Sequence, residues 1–273
     1  MSSRWRVIYD PPAQGALNMA IDEAIMLSVS AGVSLPTLRF YAWEPPTVSL
    51  GYFQRLDQEI DIKKVAEAGF HLVRRPTGGR TVLHDDEVTY SIAVREVEFP
   101  GSVVETYRRI STGLVEGLRI LGMEAGIVAA QEAGHGPRAH SSAACFDSPS
   151  WYEVVCRGRK IIGSAQMRKA GTILQHGSVP ITFVPERLTS VLAMKSNAAR
   201  SRLASTLAAK AGGLAEFLPR RPGFREVSLA LKAGLSKCLD IDFVEQDLSA
   251  SERESAQELL RVKYLDGKWN EKR

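Results

Sequence analysis

Cysteine is scarce in this chain, with three residues in 273: Cys145, Cys156 and Cys238. An odd number without short paired spacings argues against a disulfide framework and a structural zinc site, so all three read as free thiols. Long apolar runs are missing too. Nothing approaches the roughly 20 consecutive apolar residues of a membrane span, and Met1-Ser2-Ser3-Arg4-Trp5-Arg6 lacks the apolar stretch of a signal peptide. The expectation is a soluble, cytoplasmic protein with no membrane partner. Neither sign of charge dominates, since 35 Lys plus Arg against 31 Asp plus Glu leave a net +4. Without a dense basic stripe, a nucleic-acid partner is not expected. Repeats and long linkers are absent, and no pair of histidines has a metal-ligand spacing, so no metal is expected.

What is present suits a folded chain of ordinary composition, 44% hydrophobic and 24% charged. At this length, roughly three-quarters of the unfolded surface can be buried without a staple. Leu17, Ile21, Ala24 and Ile25 recur at helical spacing and predict a helix over 13–30, with Asp22 and Glu23 on another face. Short β-rich runs at 38–41, Thr47–Leu50, 71–75, 81–83 and 88–94 predict strands. The last places Val88, Tyr90, Ile92 and Val94 on one face. A second helix follows over 103–121, and 151–156 and 160–166 form a hairpin about Arg157-Gly158-Arg159. Another strand lies within 171–181. From about Glu186 the pattern is helical, clearest at Phe224–Leu239 and 249–262. The expected fold is α/β (α+β): a mixed sheet flanked by helices in 1–185, with a helical C-terminal portion, 186–273, packed on the same domain.

Three segments carry chemistry. In Arg74-Arg75-Pro76-Thr77-Gly78-Gly79-Arg80, two guanidinium forks beside approachable glycine N–H groups suit a phosphate, a carboxylate or a phosphopantetheine chain. A hairpin turn with solvated arginines fits the same pattern. Lys160 opens a strand in which small Gly163, Ser164 and Ala165 leave room for a ligand chain, although a solvated strand-end lysine would look no different. Cys145 lies in a Ser- and Pro-containing loop, placed like a reactive thiol. Cys156 alternates with Tyr152 and Val154, and Cys238 neighbours Leu235 and Leu239, so both read as core or boundary residues.

In this order, Asn18-Met19-Ala20-Ile21-Asp22-Glu23-Ala24, the Arg-Arg-Pro-Thr-Gly-Gly segment with His84-Asp85, and Lys160 with Gly163-Ser164-Ala165 resemble the biotin and lipoate protein ligase family over about 5–180. The resemblance implies a catalytic domain related to class II aminoacyl-tRNA synthetases that attaches an acyl group to a carrier lysine. It implies substrate contacts from Arg75, Thr77, Gly78, Gly79, His84, Gly163, Ser164, Ala165 and His176. Two departures argue against ATP use: Arg80 stands where ligases usually have a third glycine, and Asp86-Glu87-Val88 follows where they have Gly-Asn.

The Ala144-Cys145-Phe146-Asp147-Ser148-Pro149-Ser150 segment is similar to that of the family's cysteine-dependent octanoyltransferases. That similarity implies Cys145 as nucleophile, with Lys160 favouring its thiolate or steadying the oxyanion. It also implies no cofactor, octanoyl-acyl carrier protein as donor, and a lipoyl-domain or glycine-cleavage H-type carrier protein as acceptor. A monomer is expected. A straight hairpin ladder would put Cys145 opposite about Thr172, tens of ångströms from Lys160 at roughly 3.3 Å per residue, so the pairing rests on the resemblance. An ATP-dependent lipoate ligase, an amidotransferase between lipoyl carriers and a non-catalytic acyl-carrier-binding module stay open.

Overall fold

A computed structural model describes residues 3–129 and 152–272. Strand β1 (Ser3–Tyr9) leads into α1 (Gly15–Ser30), whose 18–26 stretch is buried on every side. Strands β2 (Thr37–Tyr41) and β3 (Thr47–Leu50), short helices α2 (Leu56–Glu59) and α3 (Ile62–Glu67), and strands β4 (His71–Arg74), β5 (Val82–His84) and β6 (Glu87–Arg95) follow. Helix α4 (Val103–Ile120) starts at a capping box made by Ser102 and Glu105. Then come β7 (Ala125–Ala129), β8 (Tyr152–Cys156), β9 (Arg159–Lys169) and β10 (Thr172–Pro180). The chain ends with α5 (Pro185–Val191), α6 (Asn197–Lys210), α7 (Phe224–Leu239), β11 (Ile241–Glu245), α8 (Ala250–Leu259) and α9 (Gly267–Asn270).

The main sheet runs β11-β1-β2-β6-β10-β9-β8-β7, and a small sheet runs β4-β3-β5. This is the expected mixed sheet flanked by helices. Strand β6 is buried on both faces. Val88, Tyr90, Ile92 and Val94 pack with Leu114 and Leu118 of α4 and Leu231 and Leu235 of α7. The opposite face, with Glu87, Thr89 and Ser91, turns to α1, where Ser91 donates to Asp22. The small sheet rests Val48 and Leu50 on Leu188 and Val191 of α5 and on Leu203 and Leu207 of α6.

The region beyond 186, read as helical, also contributes a strand to the main sheet. Asp240 ends α7 in a left-handed conformation (φ 53°), and β11 then pairs in parallel with β1 from Ser3↔Ile241 to Val7↔Glu245. Neither strand stands out in the sequence. Charged Arg6 interrupts the apolar pattern of β1, and its charge is compatible with burial only because Glu252 of α8 meets it at 2.6 Å.

The β8–β9 hairpin turns at Arg157 (φ 48°) and Gly158 (φ 76°), the positive-φ pair that a two-residue turn requires. Its register then slips: Val155 pairs with Lys160, but Val154 pairs with Ile162. One extra residue, Ile161, therefore sits in β9 as a bulge. A regular ladder would keep Lys160 on the face of Ile162. The bulge instead turns it to the face of Gly163 and Ala165.

Candidate active site

On the α1 side of the main sheet, where the small sheet leans over β9 and β10, a narrow pocket opens. Arg75, Gly79, His84, Gly163, Ser164, Ala165 and His176 all line it, together with Met19, Tyr41, Trp43 and Thr89, which were not among the expected substrate contacts. Ala165 sits opposite His176, and Gly163 opposite Ser178, so small residues on β9 face polar ones on β10. Ser164 contributes backbone only, because its hydroxyl points through the sheet to the Tyr90 hydroxyl, 2.7 Å away. Thr77 lies just behind the wall. Gly78 faces the adjoining groove with Tyr52, Phe53 and Trp269.

The Arg-rich turn is built from within. Arg74 is fully buried and serves no ligand. Its guanidinium donates to the carbonyls of Gly51, Tyr52 and Gln54 on one side and of Trp269, Asn270 and Lys272 on the other. This corrects the reading of two ligand-facing forks. Arg75 Nη1 donates to the carbonyl and hydroxyl of Ser49, and its Nη2 donates to the carbonyls of Gly78 and Arg80, bracing the turn across the pocket. Gly79 has φ +95°, a conformation that favours glycine. The acidic run is also spent inside the chain: Asp85 pairs with Arg187 at 2.7 Å and Asp86 with Arg221 at 2.6 Å. Asp85 and Asp86 are therefore partnered within the chain, by arginines of its C-terminal portion.

Two buried carboxylates, both unassigned from sequence, frame the pocket. Asp22 accepts from Arg39 Nη1, the Tyr41 hydroxyl and Ser91 Oγ, each at 2.8 Å, and from His176 Nδ1 at 3.3 Å. Burial pushes its pKa up, but the His176 hydrogen bond and the Arg39 charge outweigh burial and hold it below the usual range. Burial pushes His176 below its ordinary value, against the pull of Asp22. The other nitrogen of that ring, Nε2, is 2.7 Å from Thr77 Oγ1.

Glu87 takes hydrogen bonds from His84 Nδ1 at 2.9 Å and from the hydroxyls of Thr89 and Ser178. Burial raises its pKa, and His84 with the two hydroxyls more than reverses this. His84 Nε2 reaches Ser49 Oγ at 2.7 Å, and its ring stacks 3.9 Å from Trp43. All four ring nitrogens are engaged by protein groups, so each histidine offers the pocket carbon edges and ring faces. The sequence signal for this layer was the polar series Glu87, Thr89 and Ser91 alternating with the apolar one on β6.

Lys160 is 5% exposed and therefore not a solvated strand end; its Nζ lies 3.0 Å from Glu153 Oε1. It is not among the pocket residues, but it shares their face three residues before Gly163, on the order of 10 Å along the strand. Cys145 lies outside the described residues. Cys156 is 2% exposed in the core, as expected, whereas Cys238, in the last turn of α7, is exposed. Among the described residues, no group of three His, Cys, Asp or Glu side chains is placed to hold a metal ion, and no helix is long and apolar enough to cross a membrane.

The family described as the lipoyl protein ligase A/B catalytic domain matches residues 14–236. The octanoyltransferase LipM of Kyrpidia tusciae is 48% identical over 97% of this chain and 98% of its own length. That of Moorella thermoacetica is 45% identical over 98% of each. Among solved structures, the bi-partite lipoate protein ligase of Thermoplasma acidophilum, from an analysis that includes its E2 lipoyl domain, superposes with a TM-score of 0.82 at 27% identity, covering 98% of this chain and 96% of that one. A lipoate-protein ligase A bound with ATP gives 0.79 at 26% identity over 99% of each.

Proposed function

This chain belongs to the lipoyl protein ligase A/B catalytic domain family, and from that premise we propose that it is an octanoyltransferase. It takes octanoate from octanoyl-acyl carrier protein, holds it as a thioester on Cys145 and delivers it to a lysine of a lipoyl carrier protein. The observation that carries this reading is the 48% and 45% identity, over nearly the whole chain, to relatives named octanoyltransferase. The pocket supports it. Met19, Trp43 and Val82 offer apolar surface to an alkyl chain, and the ring nitrogens of the two histidines are already bonded.

In the first step the Cys145 thiolate attacks the thioester carbonyl, forming a new S–C bond as the carrier thiolate leaves and takes up a proton. In the second, the neutral amine of the acceptor lysine attacks the acyl-enzyme, an amide forms, and the Cys145 thiol is regenerated. The donor is already activated, so neither step consumes ATP. Lys160 supplies a positive charge on the pocket face, fixed in position by Glu153. Its role is to favour the thiolate or the developing oxyanion.

The likeness to an ATP-bound lipoate ligase favours ATP-dependent attachment of free acid as the second reading. Intact mass after mixing with octanoyl-acyl carrier protein separates the two. A gain of one octanoyl group mapped to Cys145, discharged by apo-lipoyl domain without nucleotide, is the expected result. Modification of the lipoyl domain that requires ATP and free octanoate or lipoate, with no acyl-enzyme, would replace it with the ligase.

A further inference from the structure

The pocket is flanked by two hydrogen-bond chains of the same design, arriving from different elements. One runs from Asp22 on α1 through His176 on β10 to Thr77 in the Arg-rich turn. The other runs from Glu87 on β6 through His84 on β5 to Ser49 on β3, and on to Arg75. In both, a carboxylate meets Nδ1 and a hydroxyl meets Nε2.

The donors fix the direction of the second chain. Arg75 Nη1 is a donor only, so Ser49 Oγ accepts from it at 2.7 Å, and the Ser49 hydrogen goes to its other partner, His84 Nε2. His84 must then carry its proton on Nδ1, where Glu87 accepts it. In the first chain Asp22, already an acceptor from Arg39, Tyr41 and Ser91, likewise takes Nδ1–H from His176, and burial favours the neutral ring, in which Nε2 accepts from Thr77. The side chains of all six residues are buried, with at most 5% residue exposure. The two hydroxyls end on the two sides of one loop: Thr77 belongs to it, and Ser49 holds the guanidinium that grips the carbonyls of Gly78 and Arg80.

We propose that Asp22 and Glu87 are positioning residues for acyl binding. Each uses a neutral, Nδ1-protonated histidine to aim a hydroxyl that pins the Arg75–Gly79 turn over the pocket, and neither histidine exchanges a proton with substrate. This rests on the octanoyltransferase reading for its kinetic arm and is independent of it for its spectroscopic arm.

The spectroscopic arm uses the free protein. Nitrogen-15 spectra of the histidine rings at neutral pH, assigned with His84→Gln and His176→Gln, should show both rings with a protonated Nδ1 and a bare Nε2. Either ring as the Nε2–H tautomer or as imidazolium overturns the proposal, whatever the enzyme's activity. The kinetic arm compares Thr77→Val with Thr77→Ser, both checked for folding by circular dichroism. Loss of the hydroxyl should raise KM for octanoyl-acyl carrier protein about tenfold, with kcat within about threefold of the parent, and the serine should recover most of that loss. A loss confined to kcat, or a serine no better than valine, would overturn the positioning role. Failure of the parent to transfer octanoate would instead overturn the function and leave the tautomer result standing.

Discussion

At the scale of single residues, Cys145→Ala should abolish octanoyl transfer, whereas Cys156→Ala and Cys238→Ala retain it. A mass assay for the acyl-enzyme checks all three, and near-parental turnover by the Cys145 variant would end the thioester scheme. Lys160→Ala should move the pH midpoint for alkylation of Cys145 up toward about 8.5, the value of an unassisted thiol. Lys160→Arg should hold the midpoint while slowing acyl transfer, since it keeps the charge but not its shape. An unchanged midpoint with lost transfer would assign Lys160 to the acyl oxygen. The motif order sufficed to bring Arg75, His84 and His176 to one pocket. It did not expose Asp22 or Glu87 because their meaning comes from partners remote in sequence. His176 lies 154 positions from Asp22, and Ser178 lies 91 from Glu87.

Among elements, α4 and α7 touch backbone to backbone. A Cβ on Gly234 would stand 2.2 Å from Gly117 N and 2.4 Å from Gly113 O. Alanine is the better helix former by about 1 kcal/mol, so in open space Gly234→Ala would raise the melting temperature. Here it should lower it, because forcing the helices apart costs roughly 1–3 kcal/mol. Thermal unfolding followed by circular dichroism distinguishes the two signs. The elements show where periodicity informs and where it fails. One face of β6 was legible in Val88, Tyr90, Ile92 and Val94, because apolar alternation marks a core. Its other face is just as buried but polar, and alternation alone reads such residues as solvated. The Ile161 bulge left no trace, since β-branched Ile161 and Ile162 fit an unbroken strand equally well.

For the molecule as a whole, the Arg6–Glu252 pair ties the first strand to the last long helix. Burial raises the Glu252 pKa, but two bonds from Arg6 at 2.6 and 2.8 Å, the Ser249 N–H and the Ser34 hydroxyl bring it down from 4.5 to about 2. A depressed carboxylate stabilises the fold above its unfolded value and loses that contribution as pH falls toward the folded one. The shift corresponds to on the order of 3 kcal/mol. Glu252→Gln should therefore be markedly weaker than the parent in urea at pH 7, and the difference should shrink between about pH 4.5 and 2. A gap independent of pH would remove Glu252 from the acid response. The same closure sets a timetable for synthesis. β1 leaves the ribosome first, yet its outer neighbour β11 is made more than 230 residues later, and the carboxylate for Arg6 comes 246 positions after it. Throughout translation the nascent sheet presents an open edge with an unneutralised arginine in it, so protease resistance of ribosome-stalled chains should arrive in one step, only after Glu252 has emerged.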